Sequence, residues 1–312
     1  MKNSSPRVSV FVITYNQESL ALEAVRSCIE QDYDNLEVVV SDDGSTDATV
    51  PMLEELHARH PRRMKLIANP VNAGITRNCN IALANCGGEL IAFMGGDDVL
   101  YPNKISRQVD AFRQNPDLVF CYHPCDVLTE GGVTGVVGNR RKDLVRNFHE
   151  IIANYGANIP GPVPMVARRA VPPGGFNEAL AVASDWMFFI DVCSKGEIVR
   201  LDEVLSAYRK HGGNVGHRIH SYAGDFLKTV DLVKQKYREP GASAAADRAA
   251  RRFLLGIIYR CITESDFGRL DGYLAEYRRR GGALAPAIRL VSRSAFAPAL
   301  FARLRGELKK YF

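Results

Sequence analysis

Short apolar runs rich in β-branched residues alternate with amphipathic segments along the first 122 residues, and this alternation constrains the fold more than any other feature. VSVFVI at 8–13 is continuously apolar, as a parallel strand buried on both faces must be. ESLALEAVRSCIE at 18–30 places its apolar residues at helical spacing. LEVVV at 36–40 is a second strand, and 47–60 a second helix that Thr46 or Asp47 can cap. MKLI at 64–67 is a third strand, 75–86 a helix and ELIAFM at 89–94 a fourth strand. A helix over 102–114, with Pro102 at its first position, precedes a fifth strand, LVFCY, at 118–122. Strand alternating with helix predicts an α/β class, a mostly parallel sheet with helices on both faces.

Beyond about residue 130 the rhythm breaks. Glycine and proline crowd 131–138 and 156–175, followed by a helix at 184–195 and a strand at 197–201. Segments 224–237, 246–262, 266–280 and 283–312 read as helices, with Pro286 and Pro298 as boundaries or kinks. GASAAAD at 241–247 reads as a linker. The expected organisation is an α/β domain over 1–223 and a helical region over 224–312.

Composition removes several classes. With 312 residues, 46% hydrophobic and 24% charged, the chain can bury a sizeable core and is not disordered. No run of about 18 apolar residues exists to cross a membrane, and Val8–Ile13 is too short for a signal segment. The seven cysteines are odd in number, scattered and without a CxxC pair, which predicts reduced cytosolic thiols and neither a disulfide framework nor a zinc site. The net charge of +5 is uneven: residues 241–312 carry 14 Lys/Arg against 6 Asp/Glu, and the rest carry 26 against 29. An acidic body with a basic tail argues against a nucleic-acid partner.

Ligands of parallel α/β sheets bind beyond the carboxyl ends of the strands. Thr14-Tyr15-Asn16 follows the first strand and Ser41-Asp42-Asp43-Gly44-Ser45 the second. Asn69-Pro70, leading to Asn72, Gly74, Arg77 and Asn78, follows the third, and Gly95-Gly96-Asp97-Asp98 the fourth. Each cluster alone is also what a turn uses; four in succession, two of them acidic, exceed punctuation.

Together with SDW at 184–186 and YRKHGGN at 208–214, these segments resemble family 2 glycosyltransferases of the GT-A fold, inverting enzymes that use nucleotide-diphosphate sugars. The resemblance spans residues 8–214 and leaves the tail uncovered. It implies a Rossmann-like, mostly parallel sheet with a C-terminal helical region. Thr14, Tyr15, Asn16, Asp42, Asp43 and Arg77 would contact the nucleotide sugar, carboxylates serving as acceptors for base and ribose donors and the guanidinium as a fork for diphosphate. Against this stand turn and cap roles for the aspartates, burial for Tyr15 and a solvated helix face for Arg77.

The resemblance also implies a divalent cation, Mg or Mn, on the diphosphate. Similar enzymes carry Asp-x-Asp at the fourth strand end, but Gly95 stands where the first Asp is expected. Asp97 and Asp98 remain as carboxylates for the sugar nucleotide and metal, with His211 as a third metal ligand. Asp185 occupies the position of the catalytic base, although Ser184 replaces the acid before it and a helix-capping role fits Asp185 equally. Trp186 reads either as an acceptor-sugar platform or as core.

The implied partners are a nucleotide-diphosphate sugar and a glycan or lipid-linked acceptor, in bacterial cell-surface polysaccharide or lipopolysaccharide synthesis. The expected location is the cytoplasm, with the basic tail LFARLRGELKKYF either peripheral at the inner membrane face or an ordinary helical subdomain. Two other readings stay open. A nucleotidyltransferase would need a glycine-rich loop after the first strand, where TYNQES stands; a non-catalytic sugar-nucleotide or glycan-binding protein is suggested by Gly95 and Ser184.

Overall fold

The computed structural model describes residues 5–138, 144–154, 159–212 and 219–292. The chain divides into two compact units, 1–217 and 218–312. The division falls before the expected 223 because Ile219–Lys236 is one continuous helix.

The first unit is built on a seven-stranded sheet. Strands β1 (Val8–Thr14), β2 (Leu36–Asp42), β3 (Met64–Ala68) and β4 (Leu90–Gly95) are parallel and lie in the order β4-β1-β2-β3. The register sets Thr14 level with Asp42 and Ile13 level with Gly95, so three strands end on one line. Beyond β4 come β9 (Met165–Ala167), β6 (Leu118–Tyr122) and β10 (Glu197–Arg200). β9 runs antiparallel to both neighbours and β10 parallel to β6.

Alternate residues serve opposite faces, as the strand period of two requires. Val8, Val10 and Val12 pack with Ala21, Ala24 and Val25 of α1 (Glu18–Ile29) and with Ile105 and Val109 of α4 (Lys104–Gln114). Phe11 and Phe93 face the other way, into a ring cluster with Phe176, Phe188 and Phe189. Phe176 stacks on Phe188 at 4.2 Å. Each such pair adds about 0.5–1.5 kcal/mol beyond burial, and the cluster fixes α6 (Asp185–Cys193) against the sheet.

A second sheet was not legible in the sequence. β5 (Val99–Leu100), β11 (Ser206–Arg209), β7 (Cys125–Thr129) and β8 (Gly132–Val137) lie in that order. The segment 131–138, expected as irregular, instead forms the second arm of the β7–β8 hairpin. β5 follows the acidic loop directly and β11 pairs with it, which delivers Arg209 and His211 to that loop. Pro102 is not the first residue of α4; the helix starts at Lys104 after an Asn103 cap. Neither Thr46 nor Asp47 is the cap of α2 (Thr49–Arg59), although Asp47 Oδ1 accepts the Thr49 N–H at 3.0 Å.

The second unit contains α7 (Ile219–Lys236), α8 (Pro240–Thr263), α9 (Phe267–Arg279) and α10 (Ala285–Ser292). The expected linker 241–247 is the opening of α8. Pro240 starts the helix, and Ala242, Ala245 and Ala246 are fully buried, small residues of high helix propensity that let helices approach closely. No helix among the described residues is long and apolar enough to cross a membrane. The basic stretch 293–312, with LFARLRGELKKYF, lies outside the described residues.

Candidate active site

The line of strand ends in the first unit gathers most of the expected residues. Gly95-Gly96-Asp97-Asp98 turns the chain from β4 into β5. Gly96 N donates to Ile13 O at 2.8 Å, and a Cβ at Gly96 would strike Thr14 Cβ at 2.8 Å, so only glycine lets this loop pass β1. Asp97 Oδ2 lies 2.7 Å from His211 Nε2, across 114 positions of sequence. Asp97 and His211 side chains are 14% and 28% exposed, enough for a ligand to reach them.

Asp98 differs. It is buried, and its Oδ1 accepts the Arg209 N–H at 2.9 Å. Burial, and then the neighbouring Asp97 charge, hold its carboxyl well above the ordinary range, while Arg209 opposes them. Asp98 does not complete a three-donor cluster with Asp97 and His211. Its Oδ1 instead fastens β11 to the acidic loop. Arg209, which no motif reading singled out, is the hub of this attachment. Its Nε donates to Asp97 O at 2.7 Å and its guanidinium pairs with Glu23 at 2.7 Å.

The second acidic loop makes most of its bonds to its own surroundings. Asp42 has no exposed surface, and its oxygens accept Ser45 N at 2.8 Å and Ser45 Oγ at 2.5 Å. It does not present itself to a nucleoside. Asp43 is 4% exposed and accepts the N–H groups of Ala73 at 2.8 Å and Gly74 at 3.0 Å. Gly44, directly after them, has φ +76°, and a Cβ there would lie 2.7 Å from the Val71 carbonyl carbon. Only glycine permits that approach.

The first-strand residues divide likewise. Thr14 is buried and its hydroxyl meets Gln17 Oε1 at 2.9 Å. Asn16 bridges the two loops, its N–H donating to Ser45 Oγ at 2.8 Å and its Oδ1 accepting Thr46 N–H at 2.9 Å. Tyr15 is 45% exposed and free to face a planar base.

The helix α3 (Ile75–Ala84) joins this edge to Asp185. Asn78 is buried and bonds Ser41 through both ends of its amide, at 2.6 and 3.0 Å. Thr76 Oγ1 donates to Leu180 O at 2.6 Å and lies 2.9 Å from Ser184 Oγ. These contacts hold the start of α6, and hence Asp185, beside α3. The buried Cys79 thiol is raised to about 12 by burial and by both Asp185 and Asp43, which sets these two acids around one helix. Asp185 keeps access to solvent although protein packs densely about it, and this desolvation raises its carboxyl above the usual carboxylate range. Ser184, not Asp185, is the cap of α6. Arg77 of α3 is exposed and has no hydrogen bond or ion pair among the described residues.

Trp186 is 4% exposed and donates its indole N–H to Ile151 O at 2.9 Å. An acceptor platform needs an open ring face; the buried ring follows the other of its two readings, core, and joins α6 to α5 (Phe148–Ala153). Gly213 and Asn214 lie outside the described residues.

The structure thus places an Asp–His pair and an accessible aspartate around the carboxyl edge of a parallel sheet. Residues 9–158 match the model of the family described as Glycosyl transferase family 2. This chain belongs to glycosyltransferase family 2. An uncharacterized glycosyltransferase of Haemophilus influenzae is 32% identical over 217 residues, 66% of this chain and 66% of that one. The glycosyltransferase thus spans about two thirds of the length of the curated relatives it matches first. The mannosyltransferase PcManGT of Pyrobaculum calidifontis, solved with GDP-Man and Mn2+, shares the fold with a TM-score of 0.63 at 20% identity, over 98% of this chain and 81% of that one. Residues 1–349 of S. aureus TarS, solved with UDP-GlcNAc, give 0.60 at 22% identity, over 86% and 75%. The likeness to both concerns the GT-A fold.

Proposed function

We propose that this family 2 glycosyltransferase performs an inverting transfer of a sugar from a nucleotide diphosphate to a hydroxyl of a glycan or lipid-linked acceptor, in bacterial surface-polysaccharide synthesis. The observation that carries this reading is the 2.7 Å contact of Asp97 with His211 on the same sheet edge as Asp185. Tyr15 offers a face for the base. Asp43, through its remaining lone pairs, and Arg77 are the groups for ribose and diphosphate.

A carboxylate and an imidazole are both donors that Mg or Mn accepts. Adjacent ligands of such an ion, each about 2.1 Å from it, stand about 3 Å apart, so the pair fits a cation with little movement. When bound, the cation neutralises the charge gathering on the departing diphosphate. Asp97 and His211 would hold it; Asp98 and Arg209 keep that loop in place. Asp185, ionised, takes the proton of the acceptor hydroxyl as its oxygen bonds to the anomeric carbon and the bond to the diphosphate breaks. The accessible carboxylate of Asp185 supports this role, since the acceptor must reach it from solvent.

The test is steady-state transfer with a panel of nucleotide sugars, first sorted by thermal shift. Asp185→Asn is expected to lower kcat by about 10²–10⁴-fold with donor binding retained. Near-full turnover of that variant would remove the base assignment. A chelator should abolish turnover and Mn2+ restore it. For the basic residues of 241–312 we propose contact with an anionic membrane surface, read by co-sedimentation with anionic against neutral vesicles.

A further inference from the structure

We propose that His220, Cys261 and Asp266 form a binding site for a borderline-soft divalent cation of the zinc class in the helical unit. The cysteine spacing gave no zinc signal because the donors come from three elements. His220 opens α7, Cys261 lies in the last turn of α8 and Asp266 caps α9. Among the described residues, this is a group whose ligand atoms, one from each residue, all lie within 4.8 Å of one another. Four-coordinate zinc holds its donors about 3.5 Å apart. Small side-chain rotations close that difference.

The local structure prepares each donor. Ser265 takes φ +58°, and the turn folds Asp266 back so that its N–H donates to Cys261 O at 2.8 Å. That bond sets the carboxylate beside the thiol. Arg269 steadies the carboxylate through its backbone N–H at 3.3 Å and its guanidinium at 2.9 Å, leaving lone pairs over. His220 Nε2 is buried and has no hydrogen-bond partner among the described residues. A buried nitrogen left so costs about 1–3 kcal/mol, which a cation bound there would recover. Nδ1 lies 3.1 Å from Tyr273 Oη, with the two rings stacked. With Nδ1–H donated to the phenol oxygen, the lone pair sits on Nε2, the tautomer that a metal takes. Mg and Mn prefer oxygen donors, whereas this nitrogen, sulfur and oxygen set selects zinc-like ions. The fourth position is left to water.

The experiment uses the full chain, stripped with chelator and titrated with Co2+. The expected result is a thiolate-to-cobalt charge-transfer band with tetrahedral visible bands, saturating at one ion per chain. Asp97 and His211 contain no thiolate and give no such band. Cys261→Ser should abolish the band. His220→Gln should weaken binding more than about 10-fold, and Tyr273→Phe by about 10-fold with the band preserved, as for an orienting partner of a metal-bound histidine. Far-UV circular dichroism verifies that each variant is folded, and the Tyr273→Phe arm stands even if Cys261→Ser does not fold. Zn2+ should displace the cobalt band and raise the melting temperature of the wild type. Absence of the band in the wild type, or its persistence in both His220→Gln and Cys261→Ser, overturns the site.

Discussion

Gly95 governs how Asp97 meets His211. A Cβ at this position would lie 2.8 Å from Asp97 Oδ1 and 3.3 Å from Asp98 Oδ2, so the Asp97 carboxylate occupies the space a side chain would need. Gly95→Ala is therefore expected to displace Asp97 and cut kcat on the order of 10²-fold, the size of an ångström-scale misplacement, while the melting temperature stays near wild type. Unchanged kcat would mean that the position of Asp97 is immaterial. Asp185 sets the pH response. As a base it must be ionised, and desolvation raises its carboxyl, so activity falls as pH drops through that raised value. The acid limb of kcat/KM should lie above the ordinary carboxylate value of about 3.9, and a limb at or below it would argue against Asp185 as the base. Motif spacing singles out Asp97, Asp185 and His211 in the sequence, and the structure brings Asp97 and His211 together. For Asp42 and Trp186 the binding and the structural readings both stood open, because residue type does not disclose that Ser45 and Ile151 already use their polar atoms.

Helix α3 is the element on which the site turns. Asp43 holds its first turn, Asn78 ties it to β2, and Thr76 reaches the segment before α6. Thr76→Val keeps the shape but leaves Leu180 O, now bonded at 2.6 Å, without its donor in a buried setting. The expected loss is about 1–3 kcal/mol of stability, with a fall in kcat because the start of α6 loosens. Urea unfolding and turnover read the two effects; full stability with full activity would remove Thr76 as the link. The repeating strands and helices up to β6 were legible because each is a local pattern of period 2 or 3.6. The small sheet was not. β5 has two residues and β11 four, too few for any periodicity, and their pairing joins Leu100 to Ser206, far apart in sequence. The alanine-rich start of α8 was read as a linker because burial of alanine is a tertiary fact.

Across the molecule, the first unit depends on the short passage where the chain leaves the large sheet for the small one. His123 lies there, between β6 and β7, fully buried, with Nδ1 2.8 Å from Pro124 O and Nε2 unpartnered among the described residues. Burial, then Lys104 and Arg200 nearby, push its imidazole down to about 3, against the ordinary 6.5, so it is neutral in the fold. Lys104, also fully buried, is itself lowered to about 8 and remains cationic at neutral pH. In the unfolded chain His123 takes up its proton near pH 6.5; in the fold it does so only near 3. Between these values the unfolded state binds more protons, so stability rises with pH and is lost on acidification. Asp98 and Asp185 act in the opposite sense, because their raised carboxyls bind protons more readily folded than unfolded. The wild-type slope is a sum, and the difference between variants isolates the histidine. His123→Leu should remove a slope approaching 1.4 kcal/mol per pH unit, or about one proton, between roughly pH 6 and 4. Urea unfolding at a series of pH values measures it. Parallel curves for variant and wild type would show that His123 takes up no proton on unfolding, whereas a flattened curve makes this buried imidazole part of the acid sensitivity of the first unit.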